Sequence, residues 1–214
     1  MTPPIPTKLF EGYRDFRTMR YGAEADRFRT LAEGQSPNVM VIGCADSRVD
    51  PATIFSAAPG ELFVVRNVAA LVPPYEEAGV YHGTSAALEF AVTRLRVQNI
   101  VVLGHGMCGG ITAALTAAED RTVGQFIGPW VNQLSGVRET LLEQETDIAP
   151  EGRQNALEHL SIKYSLDNLR GFPFVEAAIK RKELALHGAW FSIAEGELHW
   201  LDHETGAFGA VAVS

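Results

Sequence analysis

Cysteine is scarce, with two in 214 residues, and cations are in deficit: 18 Lys plus Arg against 26 Asp plus Glu, a net charge of −8. Two thiols cannot form the disulfide framework of a small secreted domain, and a chain of this length buries a full core without one. The acidic balance, with a pI near 5.2 and no Lys/Arg cluster, argues against a nucleic-acid surface. No window approaches the roughly 18 apolar residues of a membrane span. The opening MTPPIPTKLF has no charged leader followed by an apolar run. The expectation is a cytoplasmic protein with no membrane or nucleic-acid partner, acting on a small molecule or assembling with another copy of itself. Repeats, linkers and low-complexity segments are also missing, which predicts a single domain over 1–214 with residues 1–34 as an N-terminal helical arm.

What is present is an alternation of buried strands and helical segments. NVMVIG (38–43), ELFVVRN (61–67) and NIVVL (99–103) are short, β-branched runs of the kind buried on both faces of a parallel sheet. TSAALEFAVTRLR, between Gly83 and Arg96, repeats apolar residues at helical spacing and feeds the third run. Helical stretches follow Gly124, then FPFVEAAIKRKEL, and the tail from Ala189 alternates in short pieces around Glu195-Gly196 and Thr205-Gly206. The predicted class is α/β: a mostly parallel central sheet flanked by helices, with the N-terminal arm and a C-terminal hairpin or edge strand. Within the arm, Phe10, Phe16, Phe28 and Leu31 are expected to pack on the domain or on a partner subunit.

The third strand runs into GHGMCGG, a turn that opens an alanine-rich helical segment. Gly104, Gly106 and Gly109 spell GxGxxG in the strand–turn–helix context of a dinucleotide site. That reading needs a second strand ending in an acidic residue about 20 positions on, and none is there. The competing reading is a metal site. Cys44 follows the first strand, and His105 and Cys108 follow the third. In a parallel sheet both loops leave at the carboxyl edge, where the active crevice of such folds lies. Two thiolates and an imidazole suit Zn²⁺, and three protein ligands leave the fourth position open, as a catalytic zinc requires. Taken singly, these residues read as core cysteines and a hydrogen-bonded histidine; their placement at two strand ends favours the metal. Asp46 and Arg48, two and four residues past Cys44, add a carboxylate that a guanidinium would orient beside the metal.

CADSR followed by GHGMCGG resembles the β-class carbonic anhydrases, whose motifs are CxDSR and HxxC. The resemblance extends over GQSPNVMVIGCADSRVDP, PGELFVVRNVA, VPPYE, TSAALEFAV, SLDNLRGFPFV and LALHGAWFSI, with the spacing of the plant-like members. It implies one zinc per chain held by Cys44, His105 and Cys108, reversible hydration of CO₂ to bicarbonate by attack of zinc-bound hydroxide, and a homodimer as the smallest active unit. Asp46 would accept the hydroxide hydrogen bond and Arg48 would pair with Asp46. The resemblance further places Gln35 as a donor to substrate oxygen across a dimer interface, Phe63, Val68 and Phe90 on the CO₂ pocket, and the Gly109 amide as a donor to bicarbonate. Phe90 departs from the tyrosine frequent in plant members, and GVYHGTSAAL is longer than its plant counterpart. His82 reads as a solvated loop histidine before a proton relay. Some members of the family close the site by swinging the aspartate onto zinc and bind bicarbonate at a pocket built on a tryptophan; here that position is Val41, which implies an open site with Asp46 paired to Arg48. Hydrolysis of CS₂ or COS on the same scaffold, or a catalytically silent zinc protein, are the alternatives.

Overall fold

The computed structural model describes residues 4–77, 82–117, 123–144 and 148–213. The chain divides into two units, Met1–Ser36 and Pro37–Ser214. The first is helical over Thr7–Asp15 and Ala25–Glu33, joined by the short helical turns Phe16–Arg20 and Tyr21–Ala23. Phe16, Tyr21 and Phe28 form one ring cluster, with centroids 5.6 Å apart for Phe16–Phe28 and 5.2 Å for Tyr21–Phe28. Two of the four predicted packing residues, Phe16 and Phe28, thus pack on each other inside the arm, while Phe10 is half exposed.

Among the described residues, the second unit has six strands: β1 (Val39–Cys44), β2 (Leu62–Asn67), β3 (Asn99–His105), β4 (Ala185–Ser192), β5 (Glu197–Leu201) and β6 (Phe208–Ala210). Their order is β2-β1-β3-β4-β5-β6. The first four run parallel, and β5 and β6 are added antiparallel. Ala185–Ser192 extends the expected tail: it is both a central parallel strand against β3 and the first arm of the hairpin. Alternation along the strands sorts the core. Met40, Ile42, Ile100 and Val102 face a layer that includes Leu88, Ile162, Leu166, Leu169 and Val175, whereas Val41, Val101 and Leu103 face the other side with Phe55, Leu62 and Trp200.

The helix Pro150–Arg170 lies over β3 and β4 so closely that a Cβ on Gly104 would sit 2.8 Å from Ile162 Cδ1. Glycine at 104 therefore belongs to helix–sheet packing, which accounts for part of the GxGxxG spelling without a nucleotide. The predicted helix from Gly83 is present over Gly83–Glu89 and continues to Leu95 as a wider turn. Arg96 then closes it in the left-handed conformation. Gly109–Thr116 is the helix of the alanine-rich segment after the Cys108 turn; residues 118–120 of that segment, and 79–81 of the long GVYHG segment, lie outside the described residues.

Candidate metal centre

β1 ends on Cys44 and β3 ends on His105, with Gly43 paired to Leu103, so the two loops leave the sheet side by side. Cys108 then serves as the N-cap residue of Gly109–Thr116. Reaching it requires a sharp reversal, which Met107 makes with φ of +55°, a conformation a non-glycine residue adopts only where its surroundings enforce it. Gly110 carries a second steric condition. A Cβ there would lie 2.7 Å from Val68 Cγ1 and 2.9 Å from the Ala69 Cβ, so only glycine lets the helix start against this turn.

Cys44, His105 and Cys108 are all buried, and their ligand atoms lie within 4.8 Å of one another. The sulfurs are 3.9 Å apart, far beyond a disulfide bond and close to the roughly 3.8 Å that two 2.3 Å zinc–sulfur bonds span at a tetrahedral angle. His105, 1% exposed, keeps Nδ1 2.9 Å from the Gly106 carbonyl. With the Nδ1 proton donated there, the Nε2 lone pair is the free one, and Nε2 is a buried nitrogen with no hydrogen-bond partner among the described residues. An orphaned imidazole nitrogen beside two buried sulfurs is what a soft metal ion would satisfy.

The charges agree. The contact between the two sulfurs lowers the Cys44 pKa against its burial and, together with burial, raises that of Cys108. Burial pushes His105 down, but the Cys44 sulfur, the Gly106 carbonyl and Asp46 outweigh it, leaving its pKa above the ordinary value. Metal binding therefore has protons to displace. Asp46 Oδ2 lies 3.9 Å from His105 Nε2. Arg48 grips it: Nε donates to Oδ1 at 2.9 Å, Nη2 to Oδ2 at 2.7 Å, and the Arg48 amide to Oδ1 at 2.9 Å. That side chain and amide hold the Asp46 carboxyl well below the usual carboxylate range.

The family model for carbonic anhydrase matches residues 39–198. β-Carbonic anhydrase 3 of Arabidopsis thaliana is 35% identical over 203 residues, 92% of this chain and 78% of that protein. The chain belongs to the β-carbonic anhydrase family. Chloroplastic β-carbonic anhydrase 5 of the same plant is 36% identical over 84% of this chain, which spans 59% of that protein's length. Among solved structures, the β-carbonic anhydrase CcaA superposes with a TM-score of 0.90 at 31% identity, covering 95% of this chain and 98% of that one. A tetrameric β-carbonic anhydrase from Sordaria macrospora gives 0.75 at 30% identity, covering 96% and 94%. β-Carbonic anhydrases use zinc, and the donor set here fits it.

Of the remaining expected residues, Val68 lies against Gly110, two residues from Cys108, with its carbonyl accepting the Trp130 indole N–H at 2.8 Å. Phe63 and Phe90 stack on each other at 5.9 Å between centroids. Gly109 is the first residue of its helix, where the amides lack an intrahelical acceptor. Gln35 belongs to the N-terminal unit. Val41 is buried among Val101, Leu103 and Ala189. His82 precedes the helix at Gly83.

Two further residues support the loops. Arg66, on β2, donates from Nε to the Cys44 carbonyl at 2.7 Å and from Nη2 to the Asp46 carbonyl at 2.5 Å, tying the CADSR loop to the sheet. Glu158, far along the chain, accepts the Cys108 amide at 3.0 Å. Arg66 stands in a recognisable FVVRN run, so its strand-end position was a usable signal; Glu158 carries none beyond a glutamate on an otherwise buried helix face.

Proposed function

We propose that this chain catalyses the reversible hydration of CO₂ to bicarbonate and a proton, with one zinc ion held by Cys44, His105 and Cys108. The observation that carries the reading is the orphaned His105 Nε2 beside two sulfurs 3.9 Å apart, with the Asp46 carboxylate fixed next to it. Zinc at such a site makes water a competent nucleophile near neutral pH. The chain's own residues supply the rest. Asp46 is locked as an anion by Arg48, so it can only accept a hydrogen bond, and it thereby sets which way the attacking water directs its lone pair. The water oxygen bonds to the carbon, one C=O electron pair moves to oxygen, and the proton leaves to solvent. The Gly109 amide, first in its helix, would donate to the oxygen that gains charge. Val68, with the Phe63–Phe90 pair, supplies apolar wall for an uncharged substrate, and Gln35 a donor to its oxygen from a second copy.

The same proposal includes a homodimer as the smallest active unit. The Thr7–Asp15 helix buries none of its residues, and Leu9, Phe10 and Tyr13 are more than half exposed, a stripe that another copy would cover. A cytoplasmic location fits the two free cysteines, which a reducing compartment keeps as thiols. The deciding experiment pairs zinc determination with a CO₂ hydration assay on the purified protein. Hydration with bound zinc supports the reading; a protein fully loaded with zinc that leaves CO₂ unhydrated contradicts it.

A further inference from the structure

The peptide unit joining Met107 to Cys108 is pinned at both of its polar atoms. Its carbonyl accepts Arg48 Nη2 at 3.1 Å, and its N–H donates to Glu158 Oε1 at 3.0 Å. One turn earlier on the same helix, Gln154 Nε2 donates both to Glu158 Oε1 at 2.8 Å and to the Cys108 carbonyl at 3.1 Å. Glu158 Oε2 accepts the Trp190 indole N–H at 3.0 Å, and Thr112 Oγ1 donates to Gln154 Oε1 at 3.1 Å. Glu158 is 2% exposed and faces three N–H donors, so both oxygens act as acceptors.

Burying a carboxylate is costly, and a well-packed apolar residue of similar size would give at least as much stability. A stability role therefore explains Glu158 poorly. Its geometry points elsewhere. Met107 sits in a left-handed conformation, and the peptide plane that follows it fixes the direction of the Cys108 side chain. Held by Arg48 on one side and Glu158 on the other, that plane resists the rotation that would relieve Met107, with the Cys108 sulfur facing Cys44 and His105.

We propose that Glu158, assisted by Gln154, is a positioning residue that preorganises the Cys108 ligand for zinc. The inference rests on Cys108 being a zinc ligand. It also implies that Arg48 has a second task besides orienting Asp46, because the same Nη2 reaches both loops.

The test compares the full-length parent with Glu158→Gln, Gln154→Leu and Trp190→Phe. Zinc affinity is measured by chelator competition, ligand geometry by the visible absorption of the Co²⁺-loaded protein, and folding by the thermal midpoint of the metal-free protein. Glutamine keeps the size of Glu158 but turns an NH₂ toward one of the donors. The expected result for Glu158→Gln is a loss of zinc affinity of about 10- to 100-fold and an altered Co²⁺ spectrum, at a metal-free midpoint close to the parent's. Trp190→Phe, which removes the donor to the far oxygen and part of the ring that packs beside Gly106, should stay within about threefold, and Gln154→Leu should fall between the two. Zinc bound by Glu158→Gln within about threefold of the parent, with an unchanged spectrum, would overturn the proposal. Should Glu158→Gln fail to fold, Gln154→Leu decides: a loss of about fivefold or more supports the clamp, and an affinity equal to the parent's rejects it. Failure of the metal reading is seen separately, as a parent that binds no zinc or a Cys108→Ser variant that still does, and either would remove the inference as well.

Discussion

Arg48 closes on Asp46 in a two-pronged pair and, with the same terminal nitrogen, reaches across to the Met107 carbonyl 59 residues away. The carboxylate is thus steered sideways, with Oδ2 facing His105. Asp46→Asn keeps the shape but replaces an obligate acceptor with an amide whose NH₂ cannot accept. It should retain zinc and lose about 10- to 100-fold in kcat/KM for CO₂ hydration. Arg48→Lys should also lose activity, because an ammonium cannot reproduce the fork. Stopped-flow hydration assays, with metal content measured on the same samples, check both.

Hydration activity should rise with pH through an apparent pKa above the value of about 7 typical of three neutral histidines. Two thiolates bonded to the ion would leave less net positive charge to favour hydroxide. The positive end of the Gly109–Thr116 helix and Arg48 oppose this, but act from farther away. A pH–rate profile decides, and a rate already on its plateau at about pH 6.5 would rule the charge argument out.

Bicarbonate should inhibit without cooperativity. Closure of the site would require Asp46 to abandon a charge-assisted pair with Arg48, while Val41 is enclosed in the core and offers no hydrogen-bond donor from its side chain. Arg66 is engaged by two carbonyls of the CADSR loop and lies 3.5 Å from Asp50. Inhibition curves at neutral pH should fit a single hyperbola; a sigmoidal curve would count against the open site.

Stability should fall on mild acidification for a reason outside the metal centre. His159 is wedged between Phe208, stacked at 4.4 Å, and Trp190, with Nε2 buried and without a hydrogen-bond partner among the described residues. Burial, followed by the charges of His199 and Lys163, pushes its pKa down to about 4. The unfolded chain takes up this proton near pH 6.5 and the folded chain only near 4, so the native state loses stability progressively as pH falls from about 6.5 to about 4. His187, also lowered mainly by burial, adds to the slope. His159→Phe should flatten, without abolishing, the decline of the thermal midpoint across that window; Asp46, with its lowered pKa, acts only below it.

Much of this site could be read from local sequence, because its parts are local. A β-branched strand delivers Cys44, a second delivers His105, and Cys108 follows within one turn, so strand order alone brings the triad together. β4 was harder to read: as a central strand it is nearly continuously buried, yet as a hairpin arm it alternates toward β5, and the two patterns overlap in Ala185–Ser192. Glu158 and Gln154 were not legible because 50 and 46 residues separate them from Cys108 and a polar pair one turn apart on a helix usually marks a solvated face. Only the approach of that helix to β3, enforced at Gly104, turns the pair inward onto the metal loop.

The most direct test of the account is zinc content and CO₂ hydration measured together on the parent and on Cys108→Ser. The account predicts about one zinc per chain and active hydration in the parent, with both lost in the variant, since neither loop holds a spare soft ligand. Stoichiometric zinc in Cys108→Ser, or a zinc-loaded parent that does not hydrate CO₂, would contradict it.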